Sequence, residues 1–214
     1  MFCLAPMALY RRRMVSNMAE PKPSQYEKVI TTSDGLKIYC KTAKHISYGS
    51  NRDKSVVKYI VIHYTGNSGD TAFGNANYFS PDGGNARSAG AHFFVDKEGI
   101  TFRSIPMDKN AYSVGGFFTQ SNGAGKYYQK CTNSNSVSIE LCNYTRNYPS
   151  GAQMDSVIKL VKYIQKWCPN AKTIIRHWSC NGKNCPYPMI GTKNEHWKRF
   201  KAELKKNGIK AKFA

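Results

Sequence analysis

The seven residues Val57 to His63, VKYIVIH, are nearly all β-branched or aromatic and end on a histidine. A run with no polar face fits only a strand covered on both sides, the central position of a layered α/β fold. Around it, short β-type runs alternate with amphipathic segments. Ala91–Val95 and Thr101–Ile105 flank Asp96-Lys97-Glu98-Gly99, a hairpin-like connection, and Val137–Cys142 and Thr173–His177 supply two further strands. Asp70 predicts the cap of a helix running to Tyr78 and stopped by Ser80-Pro81-Asp82-Gly83-Gly84.

Ser150-Gly-Ala-Gln153 reads as a capping box. After it, Met154, Val157, Ile158, Val161, Ile164 and Cys168 recur at helical spacing up to Pro169, and Glu195–Lys206 predicts a basic terminal helix. Residues 115–135 have no periodicity and are rich in Gly, Asn and Tyr, the composition of a long surface loop; Cys180–Pro188 reads as a second loop. The expected fold is one α/β domain over residues 26–214, a central mixed β-sheet flanked by helices.

In MFCLAPMALYRRRMVSN the apolar residues precede the arginines, the reverse of a secretory signal, and AEPKPSQ follows. Residues 1–25 are therefore expected to be a disordered extension or an over-called start, with synthesis in the cytoplasm. No apolar stretch approaches the ~18 to 20 residues of a membrane-spanning helix. The net charge of +19 is spread along the chain, residues 1–17 contributing only Arg11, Arg12 and Arg13. It favours polyanionic partners, whether nucleic acid, anionic membrane or anionic wall polymer. The seven cysteines lack the dense spacing of a disulfide scaffold, so free thiols are expected.

His63 and His177 each stand at the end of a strand, where α/β sheets present groups to a cleft. A lone histidine at a strand end is more often a hydrogen-bonded structural residue than a ligand. Cys185, eight residues after His177 in a turn-rich loop, allows a three-ligand zinc site with an open fourth position, the arrangement of catalytic zinc. Cys180 as a fourth ligand would make the site structural. Glu140, in the otherwise apolar Val137-Ser-Ile-Glu-Leu, is the candidate general base if it faces a cavity, and a surface carboxylate if the strand is an edge. Lys183, two residues before Cys185, is placed to direct its ammonium at a substrate carbonyl, or is one more solvated lysine.

Five ordered blocks carry a resemblance: Tyr59-Ile-Val-Ile-His63-Tyr-Thr65-Gly, Ala91-His92-Phe-Phe-Val95-Asp-Lys-Glu-Gly99, Tyr112-Ser-Val-Gly-Gly116, Val137-Ser-Ile-Glu140-Leu-Cys-Asn143, and Arg176-His177 through Gly182-Lys183-Asn-Cys185-Pro186. Over residues 55–205 the chain resembles the zinc-dependent N-acetylmuramoyl-L-alanine amidases of the Amidase_2 group, related to peptidoglycan recognition proteins, and most nearly prophage-type endolysins. The resemblance implies one Zn2+ per chain on His63, His177 and Cys185, Glu140 as general base and Lys183 as polariser of the scissile carbonyl. In part of the family a tyrosine precedes the histidine matched by His92 and has the catalytic role; here that position is Ala91, which leaves the duty to Glu140.

His92, Thr65, Asn143 and Trp178 are then expected at the substrate, with structural roles for each as the alternative. Trp178-Ser-Cys-Asn departs from the more acidic turn common after the second histidine. The implied activity is cleavage of the bond between N-acetylmuramic acid and L-alanine in peptidoglycan, by a monomer acting at the wall after release. Anionic wall polymers would attract it in place of a separate wall-binding domain, and activity is expected to fall in acid as His63 and His177 protonate. A non-catalytic muropeptide-binding module and a basic nucleic-acid binder are the other classes. The metal cysteine argues against the first, and the ordered His/Glu/His/Lys/Cys set against the second.

Overall fold

The computed structural model of the chain describes residues 19–118 and 123–214. Fourteen of its segments are regular: β1 Lys28–Thr31, β2 Lys37–Cys40, β3 Tyr48–Asn51, β4 Tyr59–Tyr64, α1 Ala72–Phe79, β5 Phe93–Val95, β6 Thr101–Arg103, β7 Lys109–Ala111, β8 Ser136–Leu141, α2 Gly151–Trp167, β9 Thr173–Arg176, α3 His177–Asn181, α4 Glu195–Lys206 and β10 Lys212–Phe213. Eight strands form one mixed sheet in the order β1-β2-β6-β5-β8-β4-β9-β10, while β3 and β7 pair separately. From β5 to β10 every neighbouring pair is parallel, and the β6 side carries the antiparallel pairings.

β4 is central, as the Val57–His63 run predicts, and its period of two sorts its residues between two layers. Ile60 and Ile62, with Val137, Ile139 and Leu141 of β8 and Ile174 of β9, pack against the apolar stripes of α2 and α4. Val61 and Ile175 turn the other way, towards Val114, Tyr127, Cys131 and Cys180. The same alternation puts Glu140 and His63 on the face away from α2, paired in register at the C-terminal ends of β8 and β4. His177 follows β9 on that same face.

Several local details differ from expectation. Thr71, not Asp70, caps α1, its hydroxyl accepting from the Gly74 N–H at 3.0 Å. The Ser150 hydroxyl caps α2 by accepting from Gln153 N–H, but no reciprocal bond forms; the Gln153 amide donates instead to the carbonyls of Val95 and Cys142, tying helix to sheet. His177 begins α3 and does not end β9, because its backbone turns helical immediately after Arg176. Of the expected disordered extension, residues 1–18 lie outside the described residues, whereas Pro23–Gln25 form a 3-10 turn and Glu20 pairs with Lys37 at 2.5 Å. Among the described residues the cysteines are free, and no helix is long and apolar enough to cross a membrane.

Candidate metal centre and its cleft

Three elements deliver the centre. β4 carries His63 near its C-terminal end, α3 presents His177 from its first turn, and the loop after α3 brings back Cys185. That loop can return because Gly182 adopts a left-handed backbone (φ 84°) that closes α3, its N–H bonding the Trp178 carbonyl at 3.0 Å. The Trp178 N–H then donates to the Cys185 carbonyl at 2.7 Å. Further along, Arg176 is stacked between the indoles of Trp178 and Trp197, 4.5 and 5.0 Å from the rings. Its guanidinium donates to the carbonyls of Met189 and Gly191, fixing the far end of the loop.

The ligand atoms of His63, His177 and Cys185 all lie within 4.8 Å of one another, the one cluster of this kind among the described residues. The two imidazole centroids are 4.6 Å apart, and the Cys185 sulfur is 3.7 Å from His63 Nδ1. His63 Nε2 and both ring nitrogens of His177 are buried without a hydrogen-bond partner. Orphaned ring nitrogens are costly unless something else takes their lone pairs. Burial and the Lys183 ammonium hold His177 down to about 3, a nearby Gly115 carbonyl offsetting a part, while burial, then the neighbouring His177 and Lys183 hold His63 well below its ordinary value. Both rings are therefore neutral, the ligating form. Burial first, and then the Glu140 charge, push the Cys185 thiol up, so its ionisation requires a cation alongside. Two neutral imidazoles and a thiol needing a cation fit a borderline-soft divalent ion such as zinc.

Cys180 takes no part: its thiol points at the Arg176 carbonyl and packs with Cys131 under α3. A closed four-residue site is thereby removed from consideration. Glu140 lies beside the triad, Oε1 being 3.8 Å from His63 Nδ1 while Oε2 has no partner. It is enclosed on most sides but 19% exposed, which is the opening to the cleft. Desolvation raises its carboxyl to about 7, Lys183 opposing and Asp70 reinforcing the shift. Lys183 is exposed on the loop and lines three adjoining lobes of the cleft, of about 430, 350 and 590 Å³. The middle lobe holds the triad, Glu140 and Thr65, whose hydroxyl is buried and unpartnered.

The other three expected substrate residues sit elsewhere. His92 is fully buried and both of its ring nitrogens are spent within the protein. Nδ1 lies 3.1 Å from the Ser138 N–H and 3.0 Å from its hydroxyl, and Nε2 lies 2.9 Å from the Arg52 guanidinium and 3.1 Å from the Lys109 carbonyl. Asn143, in a left-handed conformation (φ 51°), accepts from Gly69 N–H through Oδ1 and donates its backbone N–H to Asp70, anchoring the loop after β4 behind the cleft. Trp178 is buried against Arg176. Sequence reasoning missed Asp70, which lines the outer lobe and also bonds Asn75 at 2.7 Å, and Tyr112, which lines the other two. Tyr112 lay within a matched block; Asp70 resembled a helix cap and gave no other signal.

Comparisons with known proteins bear on the family and the fold. The family described as N-acetylmuramoyl-L-alanine amidase, Amidase_2, matches residues 52–188. The N-acetylmuramoyl-L-alanine amidase BlyA of Bacillus subtilis (strain 168) is 31% identical over 171 residues, 74% of this chain and 42% of the relative. The amidase CwlL of Bacillus licheniformis is 24% identical over 142 residues, 65% of this chain and 38% of its own. The chain thus spans about two fifths of the length of these curated relatives. Among solved structures, PlyL superposes with a TM-score of 0.59 at 20% identity, covering 80% of this chain and 97% of that one. The catalytic domain of XlyA gives 0.58 at 20% identity, covering 79% and 99%. At that identity the superpositions establish the shared fold.

Proposed function

We infer the reaction from a premise about lineage: this chain belongs to the Amidase_2 family of N-acetylmuramoyl-L-alanine amidases. The reaction is hydrolysis of the amide joining N-acetylmuramic acid to the L-alanine of the peptidoglycan stem, at the bacterial wall, by a monomer of the endolysin type. The observation that carries it is the convergence of His63, His177 and Cys185 within 4.8 Å beside a carboxylate that opens onto a cleft.

His63 and His177 as neutral imidazoles and Cys185 as thiolate would hold one zinc ion. Zinc there supplies Lewis-acid polarisation and acidifies water. Glu140, its carboxyl raised to about 7, is poised near neutral pH to take the proton of an attacking water and return it to the departing alanine nitrogen. Hydroxide adds to the carbonyl carbon, the carbon–nitrogen bond breaks, and the proton on Glu140 completes the free amine. Lys183, on the rim of all three lobes, directs its ammonium at the carbonyl oxygen as negative charge grows there. Thr65 offers a hydroxyl without a partner in the middle lobe. His92, Asn143 and Trp178 position the surroundings and do not meet substrate.

Holding the histidines neutral far into the acid changes the expected acid limit. In the metal-free centre His177, at about 3, and His63 stay neutral near pH 6, so protonation of Glu140, raised to about 7, is the expected acid limit. The net charge of +19 would favour adhesion to anionic wall polymers. The test is zinc content and release of new L-alanine amino ends from purified peptidoglycan, for wild type, Glu140→Ala and Cys185→Ser. One zinc per chain, with cleavage lost in Glu140→Ala while zinc is kept and both lost in Cys185→Ser, is the expected result. Zinc without new L-alanine ends in wild type overturns the reaction, and no zinc overturns the centre.

A further inference from the structure

A second cavity, of about 550 Å³, lies away from the metal centre, between the β1–β2 turn, the segment before β4 and the end of α2. Lys54, Lys162 and Lys166 line it together with the half-buried rings of Tyr163 and Trp167. Lys54 precedes β4, whereas His63 is near that strand's other end. The four steps of strand from Tyr59 to His63, at ~3.3 Å each, alone put about 13 Å between the two sites. The cavity has the volume of a ligand site and, unlike the cleft, is dominated by cations.

Its lysines are free among the described residues. On the same helix Lys159 is paired with Asp155 at 2.7 Å, but Lys162 and Lys166 make no ion pair, nor does Lys54. Lys162 and Lys166 are four residues apart on one helix face, where like charges repel unless an anion lies between them. The single lining carboxylate, Asp34, accepts the Thr32 hydroxyl at 2.6 Å in the β1–β2 turn. Lys54 sits in a short turn fixed by the Asp53 carboxylate, which accepts the Ser55 N–H at 2.7 Å. Trp167 packs its ring on the core, and neither its indole N–H nor the Tyr163 hydroxyl bonds within the described protein. Aromatic surface with free donors suits a sugar or polyol, and three converging ammonium groups suit the anion that it carries.

We propose that this cavity is a second binding site, for an acidic glycopolymer whose sugar or polyol lies on Trp167 and Tyr163 and whose anionic groups meet Lys54, Lys162 and Lys166. The ligand class rests on the wall-hydrolase reading; the cavity and its charge do not. Such a site would hold the enzyme on a wall polymer from the end of the sheet opposite to the cleft.

The test measures binding of the full chain to poly(glycerol phosphate), to polygalacturonate and to the neutral chitin hexamer at physiological salt, with intrinsic tryptophan fluorescence as a second readout. Binding of either acidic polymer, well above the neutral one, is expected, and which of them binds separates phosphate from carboxylate sources. Lys162→Ala/Lys166→Ala should weaken it by about tenfold or more, whereas Lys205→Ala/Lys206→Ala on α4 should change it by less than about twofold. Trp167→Phe, which keeps an aromatic ring against the core, should lose the fluorescence change. Both lysine doubles should cut a soluble muropeptide as wild type does. Equal weakening by the two doubles would mean diffuse charge and overturn the site, as would absence of binding to either acidic polymer. Tighter binding of a single-stranded oligonucleotide through Lys162 and Lys166 would overturn the ligand class. Binding by a chain that cuts no peptidoglycan would leave the site standing and remove the amidase reaction.

Discussion

The strands β4, β8 and β9 present two faces made from the same few residues, and the faces have opposite characters. Towards α2, Ile60, Ile62, Val137, Ile139, Leu141 and Ile174 are completely buried and apolar, with nothing left unsatisfied. Towards the cleft, His63 and Glu140, one residue further along β4 and β8, and His177 just beyond β9 hold four buried polar atoms without partners. Alternation along a strand thus divides labour: one face stabilises the domain and the other is held in a costly arrangement by it. Substitutions on the first face should change stability and spare chemistry, and substitutions on the second should do the reverse.

The largest expected separation comes from Glu140→Gln, which should lower kcat on purified peptidoglycan by about 10²–10⁴-fold. The thermal midpoint of the metal-free protein should not fall, since a buried carboxylate has been made neutral. A large loss of stability would break the division between faces. On the α2 side, Leu160→Ala should cost about 2–5 kcal/mol in denaturant unfolding, with zinc stoichiometry and kcat of the folded protein unchanged.

A third comparison uses pH. His177 is lowered from 6.5 to about 3, so between those values the unfolded chain binds a proton that the folded one refuses, and stability rises with pH. His63 contributes in the same direction. Glu140 is raised from 4.5 to about 7, so here the folded state binds the extra proton and stability falls as pH rises through that window. In metal-free protein the opposing slopes partly cancel between pH 4.5 and 6.5. Glu140→Gln should therefore steepen the rise of stability with pH by up to about 1.4 kcal/mol per pH unit. Calorimetry at three pH values in chelator checks this, and an unchanged slope would mean that Glu140 titrates normally.

The smallest effect is expected of Gly182→Ala. A side chain at φ 84° strains the α3 closure by about 1 kcal/mol, and the displaced loop should weaken zinc affinity more than global stability. Competition against a chromogenic chelator measures the first and urea unfolding the second.

Much of this was legible in the sequence because the signals were strong and local. Glu195–Lys206 has the expected bounds, β4 is the central strand, and the long apolar stripe after Ser150 is α2. The clustering of His63, His177 and Cys185 was legible because a strand end, the turn after a strand and a loop cysteine are positions as well as residue types. β1, β3, β7 and β10 were not, since they are short and carry polar residues; β10 is two residues long, recruited by pairing with β9. The misplaced residues share one cause. His92, Asn143 and Trp178 are adjacent in sequence to cleft elements, but His92 and Trp178 turn inward and the Asn143 amide is spent on Gly69, directions that only tertiary packing reveals.

The stacked Arg176 bears on how the centre ages and adapts. Burial lowers its guanidinium only to about 10, so it remains a cation across the range in which Glu140 changes state. Its bonds go to main-chain carbonyls, which offer the same acceptors whatever residue replaces Met189 or Gly191. The stretch from Gly182 to Gly191 is thus fastened at its far end by an element indifferent to both acidity and local sequence. Side chains along that stretch are accordingly open to evolutionary drift, and to deliberate retuning of substrate choice, while the cysteine between them keeps its address.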